Sequence, residues 1–140
     1  MRPLARPVAL AIIRKRDRIL VFAVPDPVKN VTGYRPPGGT IEFAETGAAA
    51  VIRELEEELG AEIVDVRYLG TLENIFEYLG RPGHELVRVF EARFADASLY
   101  ERDSFECVEA NQTRFTCIWK SLADFAHEPL YPNGLLELLS

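Results

Sequence analysis

The sequence contains few of the residues that build disulfide frameworks or histidine-rich metal sites, with two cysteines and two histidines among its 140 residues. Cys107 and Cys117 are too few for a disulfide framework, and their spacing is not that of metal ligands. A chain of this length with 48% apolar residues can bury a sizeable core, so folding need not depend on cross-links. We therefore expect one domain over residues 1–140, cytoplasmic, with reduced thiols and with Cys117 in a buried strand.

The sequence also lacks a long apolar run and a surplus of positive charge. No stretch is long enough to span a bilayer, and Arg14 and Arg16 interrupt the N-terminal apolar run early, so we expect neither a membrane segment nor a signal peptide. The formal net charge of -6 argues against an extended nucleic-acid-binding surface, which requires a basic footprint. It still permits a small polyanionic ligand, because a bound divalent cation can invert the local field.

Hydrophobic patterning predicts an α/β domain in which helices pack on a mixed sheet. The pattern predicts β-hairpins at residues 8–24 and 62–94, a loop at 95–111 and a later strand at 113–119. It also predicts two short C-terminal helices, at residues 121–127 and 132–139. Asn133 is the predicted N-cap of the last helix. Ahead of the central helix, Gly38 and Gly39 permit a sharp turn or a close approach of the backbone to a neighbour.

The central helix is predicted over residues 47–59, with Thr46 as its N-cap and Gly60 as the residue that ends it. Its apolar side chains recur at helical spacing, which predicts that one stripe packs on the sheet. This helix also carries the densest group of charges in the chain.

Four glutamates of this helix lie within five residues, which costs electrostatic repulsion unless positive charge lies among them. At 100° per residue, Glu54, Glu57 and Glu58 fall within an arc of about 100° beside the apolar stripe, whereas Glu56 points towards solvent. Such oxygen-rich clusters suit Mg²⁺ or Mn²⁺, and Gly39 can bring a backbone carbonyl close as a further oxygen ligand. For a short run of glutamates alone, a solvated helix face is the alternative.

The complete spacing favours the metal site over the solvated face. Gly39 is followed by five residues, Glu45, seven residues and then the sequence RELEEELGA from Arg53. This arrangement resembles the Nudix box, G-x5-E-x7-R-E-U-x-E-E-x-G-U, in which U is a bulky aliphatic residue. Ala61 departs from the pattern because it is smaller than the usual aliphatic residue.

The resemblance implies a Nudix fold, with a mixed sheet sandwiched between α-helices, and a MutT-like hydrolase activity. The implied reaction is the attack of water on the pyrophosphate bridge of a nucleoside diphosphate linked to another moiety, with Mg²⁺ or Mn²⁺ as cofactor. Carried over by position, the metal ligands are Gly39, Glu54, Glu57 and Glu58. Arg53, counted with the catalytic residues, is implied to pair with Glu45 and so to hold the ligands in place.

The sequence does not decide which carboxylate takes the proton from water, since two positions of the box and a later loop all offer one. Glu58 or Glu57 is the first choice for this base. Glu106 and Glu109, in the predicted loop before the last strand, are alternative bases or additional metal ligands. Each of these two is also explained as an ordinary surface acid.

The substrate is less well defined than the reaction. Arg35 is a candidate phosphate contact, and Tyr78 lies at about the distance from the box at which Nudix dinucleoside polyphosphate hydrolases carry a tyrosine. Asn133 resembles in position an asparagine that reads guanine in MutT-type enzymes, although a helix cap explains it as well. Surface or packing roles explain Arg35 and Tyr78 too. An NTP, a dNTP or a dinucleoside polyphosphate is the favoured substrate.

Two other functions are compatible with the same resemblance. One is a Nudix-fold sensor domain that binds a nucleotide without cleaving it, although the intact box argues against this. The other is removal of pyrophosphate from RNA 5′ ends, against which the absence of an obvious basic patch counts. Family members are often dimers, so a homodimer is an expectation from the resemblance. We expect a small-molecule nucleotide as partner, with no membrane and no extended nucleic acid.

Overall fold

The computed structural model describes residues 3–140, and its eight strands form one mixed sheet with two α-helices packed on it. The elements are β1 Arg6–Lys15, β2 Arg18–Asp26, β3 Val31–Arg35, β4 Gly38–Thr40, α1 Gly47–Leu59, β5 Ile63–Tyr78, β6 Arg81–Phe94, β7 Ser104–Val108, β8 Arg114–Ser121 and α2 Leu135–Leu138. Short 3-10 helices occupy Ala97–Glu101 and Leu122–Ala126. The predicted α/β class and the two hairpins are confirmed.

Strand β1 connects the two hairpins because it pairs in parallel with β6. The sheet runs in the order β5-β6-β1-β2-β8-β7, with β3 added to β2 and β4 added to β1. All other strand pairs are antiparallel. The parallel register places Arg6 opposite Glu85, residues that are 79 positions apart in sequence.

Both faces of β1 are buried, which explains its unbroken apolar sequence. One face, with Ala9, packs in a core cluster that contains Val51 and Leu55 of α1. The other face, with Leu10, packs in a second cluster that contains Leu135 of α2. The sheet is therefore covered on both sides, and α1 lies on the side of the first cluster.

The ends of α1 are determined by local chemistry, as predicted. The side chain of Thr46 accepts a hydrogen bond from the backbone N–H of Ala49, and Gly60 ends the helix in the left-handed region at φ 67°. Between these ends Val51 and Leu55 are completely buried. The helix is thus held in position on the sheet, and its glutamates are held with it.

The segment predicted as a loop over residues 95–111 instead contains a 3-10 helix and strand β7, so that prediction was wrong. In β7, Phe105 and Cys107 are buried while Ser104 and Glu106 are exposed. This alternation is that of a strand with one solvated face, and the acidic residues around it conceal the pattern. Cys107 lies 3.7 Å from Cys117 of β8, and both free thiols are buried.

The C-terminal helix is shorter than predicted, and its cap is different. It covers only Leu135–Leu138, and its N-cap is Gly134, with no side-chain capping hydrogen bond. Gly134 adopts φ 93°, a left-handed conformation that delays the start of the helix. The prediction that Asn133 is the cap was therefore wrong. In the described part of the chain, no helix is long and apolar enough to cross a membrane.

The packing of α1 predicts a clear contrast between two of its aliphatic residues. Leu55→Ala is expected to lower the free energy of unfolding by about 2–5 kcal/mol, because it opens a cavity under a completely buried side chain. Ile52→Ala is the matched control, since Ile52 is 37% exposed, and its cost is expected to be roughly 1 kcal/mol or less. Urea unfolding of both variants measures the difference. Equal losses would show that α1 does not pack as described.

Candidate active site

The glycine pair before α1 is required by two close approaches of the backbone. A Cβ atom on Gly38 would lie 2.0 Å from the carbonyl oxygen of Ala9, and Gly38 also adopts φ 152°. A Cβ atom on Gly39 would lie 2.5 Å from the carboxyl carbon of Glu54. Gly39 therefore brings its backbone against a carboxylate of α1, where a larger residue would push the side chain away.

Arg53 is the centre of an ion-pair network that joins α1 to the preceding loop and to β4. Its guanidinium donates to both carboxylate oxygens of Glu45 at 2.8 and 2.9 Å, and to the carbonyl oxygen of Thr40 at 3.1 Å. It also donates to Glu54 at 3.0 Å and to Glu57 at 3.2 Å. The pairing of Arg53 with Glu45, implied by the family resemblance, is present. One cation thus orients three carboxylates and anchors them to β4.

The electrostatic consequence is clearest at Glu45. Hydrogen bonds from Arg53 and a backbone N–H, followed by the charge of Arg53, lower the pKa of Glu45 to about 2. The same contacts raise the pKa of Arg53 above its usual value. Both groups are therefore charged throughout the physiological range, and the link between the loop and α1 persists over that range.

Glu58 differs from its neighbours because it lacks a cationic partner. Its Oε1 is the one buried side-chain oxygen or nitrogen among residues 3–140 that has no hydrogen-bond partner. Burial, and then the charges of Glu54 and Glu109, raise the pKa of Glu58 to about 8. Burial also raises the pKa of Glu54. A buried carboxylate with other carboxylates beside it is suited to receive a cation.

The donors fit a hard divalent cation, although they are not gathered into a finished metal site. Between residues 3 and 140 no group of three or more His, Cys, Asp or Glu side chains is arranged to hold a metal ion. Glu54 and Glu57 are instead turned towards Arg53. The oxygen donors are the unpartnered oxygen of Glu58 and the carboxylate of Glu54 beside Gly39, and both are of the kind that Mg²⁺ and Mn²⁺ prefer.

Two cavities border these carboxylates. The first, of about 290 Å³, is lined by residues that include Gly39, Glu54, Glu58 and Glu109. The second, of about 460 Å³, is lined by Glu54, Glu58 and Glu109 together with Glu57. Glu54, Glu58 and Glu109 therefore line both spaces, whereas Glu57 borders only the second. Glu109 follows β7 directly, so this unpredicted strand brings it beside α1.

Not every acid of the predicted loop belongs to the site. Glu106 is exposed in β7, accepts a hydrogen bond from Thr116 at 3.2 Å and lines neither of the two cavities. Glu109 is thus the better placed of the two candidates. Glu56 is exposed on the outer side of α1, as predicted.

The three candidate substrate contacts lie together on a third cavity of about 540 Å³. Arg35 lines both this cavity and the first one, so it stands where the two meet. The hydroxyl of Tyr78 donates to the carbonyl oxygen of Pro25 at 3.1 Å, which fixes the ring at the cavity wall. Asn133 is exposed and lines the same space.

Sequence reasoning missed a buried polar group at the junction of these cavities. Glu85 of β6 is 5% exposed and accepts hydrogen bonds from Arg6, Arg35 and Asn74 at 2.8, 2.9 and 3.2 Å. The sequence does carry a signal of this buried group, because Glu85 alternates with Val87 and Val89 on the buried face of its strand. A carboxylate at such a position requires a partner from elsewhere in the chain.

The chain matches one protein family over most of its length. Residues 3–134 match the NUDIX domain family. A Bacillus subtilis protein named as a candidate 8-oxo-dGTP diphosphatase is 38% identical over 76 residues, 53% of this chain and 44% of that protein. The CMP-5'-(N-acetyl-N-hydroxy-3-aminopropyl)phosphonate hydrolase of Streptomyces rubellomurinus is 31% identical over 101 residues, 72% of this chain and 46% of that enzyme. The chain thus spans less than half the length of each of these two relatives.

A solved structure matches the chain over its whole length. The crystal structure of a MutT NUDIX hydrolase from Burkholderia pseudomallei has a TM-score of 0.72, covers 99% of this chain and is itself covered completely. The two sequences are 24% identical, so this similarity bears on the fold alone. The order of strands and the place of the central helix are therefore those of a known architecture.

The oxygen of Glu58 that lacks a partner predicts a response to Mg²⁺ that depends on which face of α1 is altered. Saturating Mg²⁺ is expected to raise the melting temperature by about 5 °C or more, because binding to the folded state alone stabilises it. Glu58→Gln is expected to lose most of this rise, whereas Glu56→Gln, on the outer face, is expected to keep it. Thermal melts of each variant with and without Mg²⁺ measure the effect. A rise that is the same in both variants would place the cation elsewhere.

Proposed function

The chain belongs to the NUDIX family, and from this we propose that it is a metal-dependent pyrophosphohydrolase of small nucleotides. The proposed reaction is attack of water on a phosphorus atom of a pyrophosphate bridge, which releases a nucleoside phosphate and the remaining phosphorylated moiety. The observation that carries the proposal is the complete box on α1, in which Oε1 of Glu58 has no hydrogen-bond partner and the side chain lines two cavities.

The residues that would hold the cation are Gly39, Glu54, Glu57 and Glu58, with Glu109 as a further candidate. When bound, Mg²⁺ or Mn²⁺ supplies positive charge that offsets the phosphate oxygens and makes water more acidic. Arg53 holds Glu54 and Glu57 at the second cavity through hydrogen bonds of 3.0 and 3.2 Å. Its bond to the Thr40 carbonyl ties this arrangement to the strand that carries Gly39.

The proton of the attacking water goes to a carboxylate of the box in the proposed mechanism. Glu58 is favoured over Glu57 because it borders both cavities and is not held by Arg53. The side chain of Glu57 is 57% exposed and is paired with Arg53, which suits a metal ligand on the solvent side of the site. Glu109, which lines the second cavity from the end of β7, is the alternative base.

The nucleoside is proposed to occupy the cavity of about 540 Å³ beyond Arg35. This space adjoins the acidic cavity, since Arg35 lines both, so a nucleotide can place its phosphates near α1 and its base among the residues that include Tyr78 and Asn133. A large pocket with a few polar side chains is typical of small-molecule sites. This arrangement supports an NTP, a dNTP or a dinucleoside polyphosphate as substrate.

The relatives extend the range of substrates that should be tried. One is named for 8-oxo-dGTP and the other for a CMP-linked phosphonate, so both are named for nucleotide derivatives. We propose that this chain also takes a nucleoside 5′-phosphate joined to a second phosphorus group. The proposed cellular location is the cytoplasm, where such nucleotides are abundant.

A panel assay tests the proposed function. The purified protein with Mg²⁺ or Mn²⁺ is incubated with NTPs, dNTPs, 8-oxo-dGTP, diadenosine polyphosphates, ADP-ribose, nucleotide sugars, CMP-linked phosphonates and triphosphorylated RNA. Release of a nucleoside phosphate from one class identifies the substrate. Binding without release from any of them would favour a nucleotide-sensing domain, and release from RNA alone would favour 5′-end processing.

Neutralising single glutamates of the box is expected to stop turnover without unfolding the protein. Glu58→Gln and Glu57→Gln should each lower kcat on the best panel substrate on the order of 100-fold or more, since each removes a ligand or the base. Glu56→Gln is the control and should retain near-normal turnover. The kinetics of nucleoside-phosphate release give kcat, and circular dichroism confirms folding. Near-normal turnover of both Glu57→Gln and Glu58→Gln with Mg²⁺ would refute the assignment of the site.

A further inference from the structure

We propose that Glu85 is a positioning residue that holds Arg6 and Arg35 as a two-guanidinium clamp for the phosphate chain of the substrate. The inference rests on the proposed function and adds residues that the Nudix box does not contain. The clamp consists of Arg6, Arg35 and Glu85, with Asn74 as a supporting contact.

Four strands bring these residues to one place. Glu85 in β6 lies opposite Arg6 of β1 in the parallel register and opposite Asn74 of β5 in the antiparallel register. Arg35 reaches the same carboxylate from the end of β3. Arg6 and Arg35 use different oxygens of Glu85, at 2.8 and 2.9 Å, so the carboxylate fixes the two guanidinium groups side by side.

The charges at the clamp leave a positive surplus beside an acidic cavity. Burial alone would raise the pKa of Glu85, but Arg35, Arg6 and Asn74 together hold it below its usual value, so the carboxylate is ionised. Two guanidinium groups and one carboxylate sum to a charge of +1. A guanidinium has five N–H donors, so each arginine keeps donors for a further anion after bonding Glu85.

The clamp also lies where a phosphate chain would have to pass. Arg6 and Arg35 each line both the cavity beside Glu54 and Glu58 and the cavity proposed for the nucleoside. The side chain of Arg6 is 55% exposed, whereas that of Glu85 is 6% exposed. The side chain of Arg35 is 17% exposed, and Glu85 lines only the cavity proposed for the nucleoside. The two arginines therefore reach both cavities, while the carboxylate that orients them is more deeply buried.

The same strand carries a matched arrangement that lies away from these cavities. Glu91 accepts from Arg14 at 2.5 Å and from Arg67 at 2.6 Å, so it too bridges two arginines. It lies six residues beyond Glu85 in β6 and lines neither the acidic cavity nor the nucleoside cavity. A general loss of ion pairing can therefore be separated from a loss at the clamp.

Neutralising Glu85 has two opposing effects on phosphate binding. Removing a negative charge would by itself strengthen the attraction of the site for an anion. Releasing the guanidinium groups removes the fixed geometry that charge-assisted, forked hydrogen bonds require. In the proposed clamp the second effect dominates, so Glu85→Gln must bind nucleotide more weakly.

The test is calorimetric titration, with saturating Mg²⁺, of ATP and GTP analogues that carry a methylene group between the α- and β-phosphorus atoms. Glu85→Gln is expected to raise Kd on the order of fivefold or more. Glu91→Gln is expected to leave Kd within about twofold, as for a distant surface change. For any panel substrate that is cleaved, KM should rise by the same factor while kcat changes much less.

A second measurement separates positioning from a purely structural role. In an Arg6→Ala, Arg35→Ala background, Glu85→Gln should add less than about a twofold change in Kd, since a residue that acts through the arginines has nothing left to hold. If that background or Glu85→Gln fails to fold in thermal melts, Arg35→Lys replaces it and must weaken binding, whereas Arg67→Lys must not.

Unchanged or tighter binding by Glu85→Gln would overturn the clamp while leaving the proposed hydrolysis intact. An equal loss in Glu85→Gln and Glu91→Gln would also overturn it. Weaker binding by Glu85→Gln alone, without cleavage of any panel substrate, would support the clamp and refute hydrolysis. A wild type that neither binds the analogues nor cleaves any panel substrate would refute both.

Discussion

The site depends on one cation, Arg53, shared among three carboxylates. Glu45, Glu54 and Glu57 come from a loop and from two turns of α1, and without a guanidinium between them they would repel one another. The contact of Arg53 with the Thr40 carbonyl joins this cluster to the strand that carries Gly39. The geometry of the acidic site therefore follows from a pairing within one short segment, while the packed core beneath α1 supplies its orientation.

Local signals in the sequence predicted this half of the site because its parts are close in the chain. Thr46 caps α1 and Gly60 ends it through contacts within a few residues, and the helical period alone separates Glu56 from Glu58. Arg53 and Glu45 are eight residues apart. The caps and the helical period can be worked out without knowledge of how the strands pair, whereas the pairing of Arg53 with Glu45 was implied by the resemblance to the Nudix family.

The other half was not predictable in this way, because it depends on pairing between distant strands. Arg6 and Glu85 meet only since β1 and β6 pair in parallel, and nothing local to either residue specifies that partner. Strand β7, which brings Glu109 to α1, was hidden for a related reason. Its two buried residues, Phe105 and Cys107, alternate with polar ones that resemble the surrounding loop. What the sequence does show at Glu85 is a need for a partner, not the partner itself.

The two halves have opposite surpluses of charge, and this complementarity is the strongest argument for a metal–phosphate ligand. Around Arg53 one cation serves three acids, so that region is negative. Around Glu85 one acid serves two cations, so that region is positive. The two regions meet at the cavity of about 290 Å³. It is lined by Glu54 and Glu58 from the acidic side and by Arg6 and Arg35 from the basic side. A ligand with a cation at one end and a phosphate chain at the other satisfies both, whereas a simple anion or a simple cation satisfies only one.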